Sequence, residues 1–167
     1  MFAPTYDPAV ITPAVEAFTA DARAEVTALL RSNGWSHRQI IGQLDALDTL
    51  AASEDGLVLI ASTASVLAGF ISLQVHGWNG LAQIHGLAVR NDLLRRGCAT
   101  RLIEAAETFA RDRECRGIYV DTPVDNEGGR AFYVARGYSE DYRMSRYYAD
   151  ELDGITYVKF FSVGDPL

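Results

Sequence analysis

Three apolar runs rich in β-branched residues, Leu57–Thr63, Val66–His76 and Leu81–Val89, follow one another with only short gaps. Gly77-Trp78-Asn79-Gly80 reads as the second turn, so the stretch predicts an antiparallel meander. The hydrophobic period then switches, and Ala99, Leu102, Ile103, Ala106, Phe109 and Ala110 fall on one face of a helix ending before Gly117. No other stretch narrows the possible folds as much. A meander that feeds into an amphipathic helix must cover one face of its own sheet with that helix.

The flanking segments complete the pattern. Pro4, Pro8 and Pro13 mark an irregular lead-in, after which Val15, Ala17 and Phe18 suggest a short strand. From Asp21 to Arg31 the residues Ala22, Val26, Leu29 and Leu30 recur at helical spacing, and Asn33-Gly34 supplies a stop. Ser36 can cap a second helix with an apolar face of Ile40, Ile41, Leu44 and Leu47. Beyond the long helix, Ile118–Thr122 reads as a short buried strand, and a helix runs from about Gly129 to Ala135 before Gly137. Tyr138 onward and Gly154–Ser162 are the closing strands. The order implies an α/β (α+β) fold with a mixed central sheet and helices on both faces. With 167 residues and no repeat or linker, residues 1–167 are expected to form a single domain.

The charge balance excludes some functions. A net charge of −7 and a pI near 4.9 disfavour nucleic acid as a partner, because phosphate binding needs clustered Lys and Arg. No apolar run approaches the roughly 18 residues of a membrane span, and the N-terminus lacks the features of a signal peptide. A cytoplasmic protein without membrane contact is expected. Cys98 and Cys115 have no metal-ligand spacing and are read as free thiols, with no metal site. One local exception to the acidity is the group Arg90, Arg95, Arg96 and Arg101.

Those arginines lie where a strand passes through a loop into a helix, along Leu87-Ala88-Val89-Arg90-Asn91-Asp92-Leu93-Leu94-Arg95-Arg96-Gly97-Cys98-Ala99-Thr100. A helix N-terminus presents unpaired N–H groups, and small residues such as Gly97 and Ala99 let a pyrophosphate approach them closely. The plainer reading is a turn glycine beside a solvated arginine face. Neither the Gly-Lys-Ser/Thr ending of a Walker loop nor a dinucleotide fingerprint is present.

The segment resembles the acetyl-coenzyme A pyrophosphate loop of the GNAT N-acetyltransferase superfamily, whose pattern is Arg/Gln-x-x-Gly-x-Gly/Ala after a strand. Leu87-Ala88-Val89 matches the strand end and Gly97-Cys98-Ala99 the last three positions, whereas Leu94 stands where the family has Arg or Gln. A second match is Asn126-x-x-Gly129-x-x-Phe132-Tyr133-x-x-x-Gly137-Tyr138, so the two motifs and their connection cover roughly Ile84–Ser139. The stretch Ile118–Tyr138 and the later Tyr147-Tyr148 pair also resemble the ribosomal-protein alanine N-acetyltransferase branch, in which a glutamate occupies the place of Asp121.

The resemblance implies a mostly antiparallel sheet with strands splayed at the cofactor site, and acetyl-CoA as cosubstrate. The cofactor contacts it implies are Leu87, Ala88 and Val89 for the pantetheine, Arg95, Arg96, Gly97, Cys98, Ala99 and Thr100 for the pyrophosphate, and Asn126. It makes Tyr133 the acid that protonates the departing thiolate, against the alternative of a core aromatic. Acyl transfer needs a neutral amine, which at pH 7 costs about 4–5 kcal/mol for a lysine but only about 1–1.5 kcal/mol for an α-amine. Asp121 is the first candidate base, unless it merely pairs with an arginine, and His85 is held in reserve.

Cys98 lacks a histidine partner, so direct transfer in a ternary complex is expected rather than an acyl-enzyme. The oxyanion would meet a backbone N–H near Val89. The acceptor is a peptide N-terminus or a small-molecule amine, and Glu140, Asp141, Asp150, Glu151 and Asp153 are placed to attract it or simply to be solvated. The alternative is a non-catalytic acyl-CoA-binding regulatory module. Oligomeric state stays open, a homodimer among the options.

Overall fold

Seven strands form one open sheet in the order β1-β2-β3-β4-β5-β7-β6. In the computed structural model, which describes residues 12–162, they are β1 (Ala14–Ala17), β2 (Gly56–Thr63), β3 (Val66–His76), β4 (Leu81–Val89), β5 (Gly117–Pro123), β6 (Ser139–Ala149) and β7 (Leu152–Phe160). Four α-helices accompany them: α1 (Arg23–Ser32), α2 (His37–Ala51), α3 (Cys98–Asp112) and α4 (Glu127–Ala135). Every neighbouring strand pair is antiparallel except β4 and β5. That pair is joined by α3, as a parallel connection requires. The mixed, mostly antiparallel sheet is therefore as expected. The lead-in around Pro4 and Pro8 lies outside the described residues.

Alternation along β2 explains how both faces are covered. Leu57, Leu59 and Ala61 point to the core shared with α3, while Val58 and Ile60 point to the core shared with α1 and α2. Ser36 caps α2 through a reciprocal box: the Gln39 amide donates to Ser36 Oγ at 3.3 Å and the Ser36 amide to Gln39 Oε1 at 2.8 Å. Ile41 departs from the expected face and is exposed, because the buried stripe of α2 is the narrower set Ile40, Leu44, Leu47 and Leu50.

The long helix also buries a charge. Glu107 of α3 accepts hydrogen bonds from Lys159 Nζ at 2.8 and 3.0 Å and from the Tyr138 hydroxyl at 3.1 Å, with Arg111 at 3.6 Å. Burial and the charge of Glu107 hold the Tyr138 phenol far above its ordinary range. The carboxylate thus ties α3 to β7 and to the residue just before β6. Glu107→Ala is expected to lower unfolding stability by about 2–3 kcal/mol, since it strands a part-buried ammonium and a buried hydroxyl. Urea denaturation should show a lower midpoint at unchanged slope. An unmoved midpoint would mean that the network contributes nothing net.

Candidate functional site

A break in strand pairing creates the site. β4 and β5 pair only from Leu81 with Gly117 to Ile84 with Val120. β5 stays paired to β7 along its whole length, so the C-terminal half of β4 is the part that departs. The cause is a bulge. Ser72 of β3 faces Gly86 and the next residue, Leu73, faces Ile84, which leaves His85 as an extra residue in β4. Such an insertion bends the strand and raises its local twist. Leu87, Ala88 and Val89 therefore line one side of an opening whose other side is the end of β5.

At the far end of β4 the chain enters the basic loop. Asn33, between α1 and α2, grips this point: its Nδ2 donates to the Val89 carbonyl at 2.8 Å, and its Oδ1 accepts from the Asn91 amide at 3.2 Å. Arg90 pairs with Asp92 at 2.7 Å, leaving Arg95 and Arg96 exposed nearby. Gly97 sits at φ +83°, a left-handed conformation that favours glycine, although a Cβ there would meet nothing within 4 Å.

The α3 helix opens directly after Gly97 with no side-chain cap and no acidic residue in its first turn. The Arg101 amide donates to the Gly97 carbonyl at 3.0 Å, so the amides of Cys98, Ala99 and Thr100 precede the first intrahelical bond. These three amides and two guanidinium groups form a donor set suited to a pyrophosphate. The thiol of Cys98 is not part of it: the side chain is buried, with Thr63 Oγ1 3.6 Å from its sulfur.

On the other side of the opening, α4 begins at Asn126. The side chain of this residue caps the helix, accepting from the Gly129 amide at 3.1 Å, and donates to Thr122 Oγ1 at 2.9 Å. A Cβ at Gly129 would fall 2.3 Å from Asn126 Nδ2, so a larger residue there would require the Asn126 carboxamide to shift. One turn later Tyr133 is buried among Phe132, Tyr138 and Tyr157, with ring centroids 5.6–5.9 Å away. Its hydroxyl has no hydrogen-bond partner among the described residues. Burial pushes the phenol far above its usual range, so it stays protonated at neutral pH.

Asp121 lies on β5, opposite Thr156 of β7, whose hydroxyl donates to its carboxylate. Tyr119, two residues earlier, shares that strand face. The charge of Asp121 reaches a ring of groups. The phenols of Tyr119, Tyr147 and Tyr148 are raised first by burial and next by Asp121. The His85 ring is lowered from 6.5 by burial and by His76, and raised in part by Asp121. His76 itself bonds Gln83 Oε1 at 3.1 Å.

Sequence reasoning did not assign Asn33, Tyr119, Thr156 or His76 to this region. Tyr119 was legible, since it alternates with Asp121 on a predicted strand. Thr156 and His76 become neighbours only through sheet order. Among the described residues no group of three or more His, Cys, Asp or Glu is placed to hold a metal ion, and no helix is long and apolar enough to cross a membrane.

Residues 24–138 match the family model described as the acetyltransferase (GNAT) family. A curated relative, N-alpha-acetyltransferase 30 of Schizosaccharomyces pombe, is 31% identical over 74 residues, which are 44% of this chain and 49% of that protein. The chain thus spans about half the length of that relative. Among solved structures, the ribosomal-protein-S18-alanine N-acetyltransferase from Escherichia coli superposes with a TM-score of 0.74 at 17% identity. The match covers 92% of this chain and 96% of that one. An aminoglycoside 6'-N-acetyltransferase complexed with coenzyme A gives a TM-score of 0.75 at 16% identity, covering 91% and 99%. At those identities the structural matches establish the fold.

Proposed function

The chain belongs to the GNAT acetyltransferase family, and from that premise we propose that it moves an acetyl group from acetyl-CoA to a primary amine by direct transfer in a ternary complex. The observation that carries the reading is the opening between β4 and β5, with an anion-receptive helix start at one end and Asp121, the first β5 residue beyond the last β4–β5 pair, at the other. Acetyl-CoA supplies an activated acyl thioester. The amides of Cys98, Ala99 and Thr100, with Arg95 and Arg96, receive its pyrophosphate, and Leu87, Ala88 and Val89 line the pantetheine. Asn126 serves the site by fixing the start of α4, which carries Tyr133.

Asp121 accepts the proton that the acceptor amine must lose, directly or through a water, while Thr156 keeps the carboxylate in place. Tyr133 donates its hydroxyl proton toward the departing sulfur, and a β4 amide near Val89 receives the developing oxyanion. The acceptor is a peptide N-terminus or a small-molecule amine. An α-amine, whose pKa is about 8, asks less of a carboxylate base than a lysine does.

Calorimetric titration with acetyl-CoA, followed by thiol-release assays against N-terminal peptides and small amines, tests this reading. Binding with thiol release on one amine class is the expected result. Binding without release on any amine would favour a regulatory acyl-CoA-binding module, and absence of binding would defeat the proposal.

A further inference from the structure

Beyond Ile84, strand β4 keeps β3 on one side and has lost β5 on the other. A half-strand with one open edge and a bulge at its root has few bonds to resist twisting and fraying. Two side chains from the α1–α2 region grip this segment, Gly86–Val89, at its two ends.

The far grip is Asn33, which bonds the Val89 carbonyl and the Asn91 amide. The near grip is Gln43 of α2. Gly86 is buried, and a Cβ there would fall 2.6 Å from Gln43 Nε2, 3.0 Å from its Cδ and 3.1 Å from its Oε1. The whole carboxamide therefore lies on the backbone of the first residue past the bulge, in room that a glycine leaves open. Gln43 Nε2 also donates to Ser72 Oγ at 3.5 Å. Ser72 is fully buried and is the β3 residue facing Gly86, so the carboxamide spans the two strands where their register shifts.

The surroundings make this contact conspicuous. The same sheet face carries Val58, Ile60 and Phe70 against Ile40, Leu44 and Leu47 of α2, and Ala88 packs there as well. Burying the Ser72 hydroxyl in such a core costs free energy unless it is hydrogen-bonded, and Gln43 supplies a bond. The apolar stripe of α2 and the Ser36 box hold the helix in place, so both grips share one support.

We propose that Gln43 and Asn33 are positioning residues that set the width of the opening between β4 and β5 and so preorganise it for acetyl-CoA. The proposal rests on the functional reading above, which lays the pantetheine along Leu87, Ala88 and Val89. Both side chains act through the backbone of β4.

The test measures acetyl-CoA Kd by calorimetry, and amide hydrogen exchange, in Gln43→Ala, Gly86→Ala, the double variant and Asn33→Ala. Alanine is the best helix former, so Gln43→Ala should leave α2 intact. The Cβ of Gly86→Ala meets the end of a flexible side chain and should push the carboxamide aside. Each single variant is expected to raise the acetyl-CoA Kd about tenfold through lost preorganisation. The double variant should also stay at about tenfold, where independent effects would multiply to about 100-fold. Exchange at the Leu87–Val89 amides should rise about tenfold in every variant while the β2–β3 ladder keeps its protection.

An unmoved Kd in both Gln43→Ala and Asn33→Ala would overturn the proposal, as would a double variant weakened about 100-fold. Faster exchange in β2 and β3 alike would overturn it too, leaving Gln43 with a role in stability alone. If the unaltered protein binds no acetyl-CoA, the functional reading falls and takes the positioning role with it. If the parent binds and the variants bind equally well, the positioning role alone falls.

Discussion

Tyr133→Phe is expected to lower kcat about 100-fold while the fold, the acetyl-CoA affinity and the acceptor KM stay near those of the parent. The structure separates these effects unusually well. The ring packs against three aromatic neighbours that phenylalanine would keep, and the hydroxyl has no hydrogen-bond partner among the described residues. Deleting it removes no native bond, so thermal unfolding should move little. What is lost is the only polar atom of the side chain, the group proposed to protonate the departing sulfur.

The pH profile sharpens the test. Burial holds the Tyr133 phenol well above its usual range, so it gives up no proton to solvent across an assay near neutrality. The parent and Tyr133→Phe should therefore show the same profile shape at different heights. A variant with full kcat would remove Tyr133 from the chemistry and leave it as a core aromatic. A new limb near neutrality, lost in the variant, would contradict the burial argument.

The parts of the fold that local signals govern were readable in advance. β3 and β4 occupy the stretches that alternation and turn residues predicted, because a meander is encoded by contacts between adjacent segments. The start of α3 is similarly local, since Gly97 adopts the left-handed conformation that the loop requires. The opening itself was legible only through family resemblance. It depends on where β4 stops pairing with β5, and that follows from a bulge at His85 which no residue type announces.

Glu107 fails in a different way. Its place on an otherwise apolar helix face gives no sign of Lys159 and Tyr138, which arrive from elements far along the chain. The same holds for Thr156, whose bond to Asp121 requires β7 to lie beside β5. Asn126 shows the converse. The motif singles it out from spacing alone, and the structure adds that its carboxamide bonds Gly129 and Thr122 at the start of α4.

Asp121→Asn is expected to reduce kcat/KM by about 100-fold at pH 7. Thr156 can donate to an amide oxygen as it does to the carboxylate, so the local structure should persist. The variant lacks a group to take the proton from an arriving ammonium, and it depends on the fraction of acceptor already neutral. For an α-amine that fraction grows up to a pKa of about 8. The deficit should therefore narrow as pH rises from 7 to 9, and a deficit constant over that range would argue for a binding role instead.

His85 allows the geometry to be checked without turnover. Its ring is lowered from 6.5 by burial and by His76, whereas the negative charge of Asp121 raises it. Removing that charge must lower the titration further, so the His85 NMR midpoint in Asp121→Asn should lie below that of the parent, itself below 6.5. The stability consequence has a definite sign: a histidine depressed in the folded state binds more protons when unfolded, so its contribution is complete above pH 6.5 and is lost as pH falls. His85→Gln should leave kcat/KM within a few-fold if Asp121 is the base. A collapse in His85→Gln beside a mild Asp121→Asn would exchange the two assignments, with the bulge of β4 then supplying the base as well as the opening.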